Sequence, residues 1–113
     1  MATNYDLNIT RGSNFSVRLV AKNEDGSVID ISPYDVRGVV KHRYSDSDYI
    51  LDLEPSGVPG YLTSGYIDVN LSGAQTTGVP ISQSVYDIEI YSGTYVDKLI
   101  YGYANFHPEV TNW

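Results

Sequence analysis

Val85-Tyr86-Asp87-Ile88-Glu89-Ile90-Tyr91, then Ser92-Gly93-Thr94, then Tyr95-Val96-Asp97-Lys98-Leu99-Ile100-Tyr101-Gly102-Tyr103-Ala104-Asn105-Phe106 is the stretch that decides the fold. In its first arm Tyr86, Ile88 and Ile90 alternate with Asp87 and Glu89. A period of two sends successive side chains to opposite faces, so this arm is a strand with one buried face. Ser-Gly-Thr supplies turn chemistry, and the second arm returns antiparallel. Counting by twos along it puts Val96, Ile100, Ala104 and Phe106 on the core side, with Leu99, Tyr101 and Tyr103 opposite. That second row is apolar and aromatic where a wet face would be polar. It is expected to meet something: the helical turn, the N-terminal strand or a partner chain.

The same period runs outward to the other end of the chain. Tyr5, Leu7 and Ile9 alternate with Asp6 and Asn8 before Arg11-Gly12-Ser13 breaks the pattern. Phe15, Val17, Leu19 and Ala21 form the next inward row, and Asn23-Glu24-Asp25-Gly26 predicts a hairpin whose return is Val28-Ile29-Asp30. Ser32-Pro33 stops pairing, because Pro has no backbone donor, and Tyr34 is expected to pack at that corner. A long strand is predicted from Val36 to Tyr44, with Val36, Gly38, Val40 and His42 inward and Arg37, Val39, Lys41 and Arg43 outward. Tyr49 to Leu53 follows after a Ser-Asp turn. Glu54 to Ser64, with two Pro and two Gly, reads as a loop, and Ile67, Val69 and Leu71 mark another strand. Ser72 and Gln75 match the capping box of a short helix, limited to one or two turns by Gly78 and Pro80. The expected core includes Val17, Leu19, Val40, Ile67, Val69, Ile88 and Ile90.

Seven or eight short strands with turns between them, over 113 residues, predict an all-β, immunoglobulin-like antiparallel β-sandwich with one short helical turn. The chain reads as a single domain over residues 1–113. It has no Cys, so neither disulfides nor thiolate ligands are expected to stabilise it, which fits assembly in a reducing cytoplasm. No basic and apolar leader and no long apolar run is present, so neither secretion nor a membrane partner is expected. A formal net charge of −7 makes nucleic acid an unsuitable partner. Eleven Tyr stand beside two Phe, one Trp and one Met, a choice that suits half-wet surfaces and packed interfaces.

Chemistry-bearing patterns are sparse. His42 and His107 lie far apart without paired ligand spacing, and no Gly-x-Ser-x-Gly elbow or phosphate-binding Gly loop occurs. Asp46, Asp48, Asp52 and Glu54 lack the Gly and terminal Glu of a calcium loop and read as a solvated turn. No catalytic residue, cofactor or metal is therefore expected. The candidate interface residues are Leu99, Tyr101 and Tyr103 on the last strand, and Arg37, Lys41 and Arg43 on the basic one. The basic cluster reads either as a solvated strand face or as a docking patch for an acidic neighbour. Tyr61 and Tyr66 flank a loop suited to stacking on a glycan, which keeps a carbohydrate-binding module as an alternative.

The order of motifs adds a resemblance that covers nearly the whole chain. Tyr5-Asp6-Leu7-Asn8-Ile9 with Arg11 to Phe15 comes first, then Asp25-Gly26-Ser27-Val28-Ile29-Asp30-Ile31-Ser32-Pro33-Tyr34. Gly65 to Ser72 with Gln75-Thr76, Val85 to Ile90 and Phe106-His107-Pro108-Glu109-Val110-Thr111 complete it. In this order they resemble small virion-associated β-sandwich domains of tailed bacteriophages, like the N-terminal domain of baseplate upper proteins. With Lys41-His42-Arg43-Tyr44, the Tyr-rich form is closest in look to copies from contractile-tailed phages of cyanobacteria. The resemblance implies a non-enzymatic structural protein of the virion, assembled in the host cytoplasm. Its implied partners are other virion proteins, and particle symmetry implies many copies. Tail, baseplate, neck and fibre are the implied locations, with capsid decoration as the alternative.

Overall fold

The inward rows read from the sequence close on one another in the computed structural model, which describes residues 3–80 and 82–108. Glu109 to Thr111, the end of the last motif quoted above, lie outside the described residues. Among the described residues, nine strands and two short helical segments follow in order: β1 Thr3–Asn4, β2 Leu7–Thr10, β3 Phe15–Val20, β4 Asp35–Lys41, β5 Leu51–Asp52, β6 Ser56–Gly57, a 3₁₀ turn Leu62–Ser64, β7 Tyr66–Leu71, α1 Gly73–Thr76, β8 Gln83–Ser92 and β9 Tyr95–His107. The larger sheet has the order β1-β9-β8-β4-β5, with β2 also on β9, and the smaller has the order β3-β7-β6. Strands 3, 7 and 6 thus take the B-E-D positions of an immunoglobulin domain, and 4, 8 and 9 the C-F-G positions. The fold is an immunoglobulin-like sandwich.

One apolar core joins the two layers. Leu7, Ile9, Val40, Tyr86, Ile88, Ile90, Ile100, Ala104 and Phe106 from the larger sheet meet Leu19, Ile67, Val69 and Leu71 from the smaller. Of the set Val17, Leu19, Val40, Ile67, Val69, Ile88 and Ile90, all are buried except Val17, which faces inward but stays half-exposed because β3 is an edge strand. Burying a Leu or Ile side chain contributes about 1.5 to 3 kcal/mol, so these inward rows are the main stabilising term.

The N-terminal strand departs from a purely antiparallel sheet. β1 and β2 run parallel to β9, pairing Thr3 with Ile100 and Leu7 with Ala104. Between them the chain crosses so close to Gly102 that a Cβ there would overlap the Tyr5 carbonyl group and Asp6 Oδ1. The buried Tyr86 hydroxyl donates to the Tyr5 carbonyl, and the Tyr103 N–H donates to Asp6 Oδ1 at 3.0 Å. Gly102 is therefore the opening through which the first strand docks.

Local differences from the sequence reading have local causes. The return arm Val28-Ile29-Asp30 forms a single bridge, Lys22 to Val28, and not a strand. β4 stops at Lys41, so His42 lies exposed beyond its end and is not inward. The expected strand Tyr49 to Leu53 is reduced to the two residues of β5. The expected loop contains β6, which pairs Gly57 with Ile67. The capping box of α1 is present in both directions: Ser72 Oγ accepts from the Gln75 N–H at 3.3 Å and Gln75 Oε1 from the Ser72 N–H at 2.8 Å. Thr76, fully buried, fixes this turn to the β2–β3 connection by accepting from the Gly12 N–H at 3.0 Å and donating to the Ser13 carbonyl at 2.9 Å.

Candidate interaction face on the larger sheet

Strand order decides which surface residues become neighbours. β8 lies between β4 and β9, and its antiparallel registers align three outward rungs: Arg37–Glu89–Lys98, Val39–Asp87–Tyr101 and Lys41–Val85–Tyr103. Two candidate sets read separately in the sequence, Arg37 with Lys41 and Tyr101 with Tyr103, therefore share one face. A shallow concavity of about 480 Å³ between β4 and β8 is lined by Arg37, Val39, Lys41, Asp52 and Val85, among others.

Charges on this face are matched internally. Arg37 pairs with Glu89 and also covers the Tyr91 ring, with its guanidinium carbon 4.4 Å from the centroid. Lys98 Nζ lies 3.2 Å from Asp87 Oδ2 and 5.4 Å from the centre of the Tyr44 ring. Exposed pairs of this kind contribute little stability, because water screens them. Their effect is to leave the face nearly neutral on an acidic chain. Partial burial pushes the Tyr44 hydroxyl above its ordinary pKa, an effect that Lys98 opposes and Asp87, Tyr101 and Tyr103 reinforce. Tyr103 is 49% exposed and Tyr44 55%. Lys41 makes no ion pair among the described residues.

Two of the expected interface residues are elsewhere. Leu99 is 3% exposed and belongs to the core, while Val96, expected inside, is 49% exposed on the outer face. The cause is a β-bulge. Ile88 pairs with Ile100 but Glu89 pairs with Lys98, so Leu99 is an extra residue and the parity of β9 changes there. Arg43 lies past the end of β4, in a turn where its own N–H donates to Asp46 Oδ2 at 3.3 Å. Tyr44 and Tyr91 were not singled out in the sequence. Tyr91 shares the parity of Asp87 and Glu89 in β8, a signal that was available, whereas Tyr44 reaches the face from a turn.

The remaining candidates have structural partners. Asp52 Oδ1 accepts from the Glu54 N–H at 2.9 Å, and Glu54 accepts from Gln75. Among the described residues no three His, Asp or Glu come together in a way that could hold a metal ion. His107 Nε2 lies 3.2 Å from Asn8 Oδ1 across the β2–β9 pair. Tyr61 and Tyr66 stack on each other with centroids 5.7 Å apart, and Arg18 covers the Tyr66 ring at 5.5 Å. Tyr66 is thus covered by two neighbours of this chain and does not form a second open platform beside Tyr61. No helix among the described residues is long and apolar enough to cross a membrane. No protein-family model matches this chain, and a search of curated proteins gives no match.

Proposed function

We propose that this chain is a non-enzymatic structural protein of a tailed-bacteriophage virion. It is a small adaptor or decoration domain that docks on other virion proteins of the tail, baseplate, neck or fibre, in many copies set by particle symmetry. The observation that carries the reading is the outer face of the β4–β8–β9 sheet. Tyr101, Tyr103 and Tyr44 gather there with Val39, Val85 and Val96, around ion pairs that need no external partner. Interfaces favour such Tyr-rich, locally neutral surfaces, because a Tyr ring supplies contact area and its hydroxyl can be satisfied at the rim. The order of sequence motifs supports the phage setting.

Mass spectrometry of purified particles should find the protein, and cryo-EM should find this sheet face against a neighbouring chain. Tyr101→Ser with Tyr103→Ser should reduce incorporation into particles at least about tenfold, since each buried aromatic anchor is worth about 1 to 2 kcal/mol. The free domain should unfold within a few degrees of the parent. Absence from particles, or full incorporation of the folded double variant, would refute the assignment. Capsid decoration would use the same face with a different neighbour, and the cryo-EM map distinguishes the two.

A further inference from the structure

The sheet edges are treated unequally. β5 and β6, each at an outer end, are two residues long, and the N-terminal edge of the larger sheet is interrupted at Tyr5-Asp6. Short or broken edges protect against unwanted strand addition. β3 has no such protection. It runs Phe15–Val20 without Pro, Gly or bulge, and among the described residues its one strand neighbour is β7. The Ala21 N–H donates to the Gly65 carbonyl at 2.8 Å and continues that register, so residues 15, 17 and 19 bond toward β7. The N–H and C=O groups of Ser16, Arg18 and Val20 then point to the open side. In the constant-type immunoglobulin arrangement the first strand fills this position, but here it lies on β9.

The side chains along this edge are incompletely covered. Phe15 and Val17 face inward opposite Leu71 and Val69, yet stay half-exposed while those two are buried. The one charge on the strand is matched, since Arg18 donates to both carboxylate oxygens of Asp68 at 2.7 and 3.0 Å. On a chain of net charge −7, this edge is therefore a place where a second copy meets little repulsion.

We propose that β3 pairs antiparallel with β3 of a second copy, about a two-fold axis through Val17. Symmetric pairing must join outward-pointing residues to one another, which leaves few registers. An axis through Arg18 would set two guanidinium groups directly opposite, which is unfavourable. An axis through Val17 sets Val17 against its counterpart, Phe15 against Leu19 of the second copy and Ser16 against Arg18 of the second copy. This register forms about four new backbone hydrogen bonds and covers the half-exposed apolar row. The ribbon is small, well under about 1,200 Å², so the pairing is weak and is populated at the high local concentration of a multi-copy assembly. It uses the opposite sheet from the docking face and stands independently of it.

Because the chain has no Cys, single thiols report the register directly. In the proposed pair Val17→Cys places two thiols across the axis at a non-hydrogen-bonded position. There the Cα atoms lie about 4.5 Å apart, within the disulfide range of about 4.4 to 6.8 Å. Ser16→Cys is more exposed but faces Arg18, which leaves its thiols out of reach. At equal concentration under mild oxidation, Val17→Cys should form the linked dimer at least about tenfold faster than Ser16→Cys. Random collision gives the reverse order, so equal rates or faster Ser16→Cys linkage would overturn the proposal. In the unmodified chain, hydrogen exchange at the Ser16 and Arg18 amides should slow as concentration rises to about 1 mM. Exchange independent of concentration, or self-association without Val17→Cys linkage, would overturn it equally.

Discussion

A methyl group added at Gly102, as in Gly102→Ala, would lie 2.8 Å from Asp6 Oδ1 and 2.9 Å from the Tyr5 carbonyl carbon, and closer still to the Tyr5 oxygen. Carbon and oxygen that are not bonded normally approach to about 3.3 to 3.6 Å, so the Tyr5-Asp6 crossing would have to retreat by roughly 0.5 to 1 Å. Three hydrogen bonds depend on that closeness. The Tyr86 hydroxyl donates to the Tyr5 carbonyl, the Tyr5 N–H to the Tyr101 carbonyl at 2.9 Å, and the Tyr103 N–H to Asp6 Oδ1 at 3.0 Å. Each contributes about 1 kcal/mol net, and crowding a packed site costs about 1 to 3. Restricting the unfolded chain by replacing Gly offsets about 0.4 to 1 kcal/mol. The expected loss is about 2 to 5 kcal/mol, a large part of the roughly 5 to 15 available to a domain. Denaturant unfolding measures it. Tyr86→Phe alone should cost about 1 kcal/mol, and the double variant should lose less than the sum, since both changes act through the Tyr5 carbonyl. A Gly102→Ala loss under about 0.5 kcal/mol, or strict additivity, would refute the account of how the first strand is held.

Deleting Leu99 should leave the domain folded but weaker by about 2 to 5 kcal/mol, because Ile100 and Lys98 already pair with consecutive residues of β8. Deleting Tyr101 instead shifts one side of β9 by one position and should abolish folding, as circular dichroism would show. Thr76→Val removes the hydroxyl that joins Gly12 and Ser13 and should cost about 2 kcal/mol in denaturant unfolding. Hydrogen bonds from Arg18, Ser27 and Ser32 hold Asp68, Asp25 and Asp30, respectively, below the usual carboxylate range. Their folded values are depressed, so their stabilisation is present above the unfolded value near 3.9 and is lost as pH falls through the folded values. The thermal midpoint should therefore fall below about pH 4, with a shallower slope in Asp68→Asn.

What the sequence disclosed and what it withheld divide along the range of the forces involved. Side-chain alternation is set by the backbone of one strand, and so the inward rows of β2, β3, β7 and β8 were readable residue by residue, as was the capping box at Ser72 and Gln75. The bulge at Leu99 was not, because an extra residue is tolerated only if its neighbour strand and the core accept it. In the sequence Leu99-Ile100 is indistinguishable from two residues on opposite faces, and the parity change at Leu99 also moves Val96 to the outer face. The parallel docking of β1 and β2 was hidden for a similar reason: Gly102 reads as a weak strand residue until Tyr5 and Tyr86 are placed on either side of it. The candidate face needed one more level of information. Arg37 and Lys41 are some 60 residues from Tyr101 and Tyr103, and nothing local says that β8 comes between their strands. Once that order is fixed, the acidic positions of β8 have a clear use: Asp87 and Glu89 separate and neutralise cations from both neighbouring strands, which lets Tyr rings and charged side chains share one nearly neutral surface.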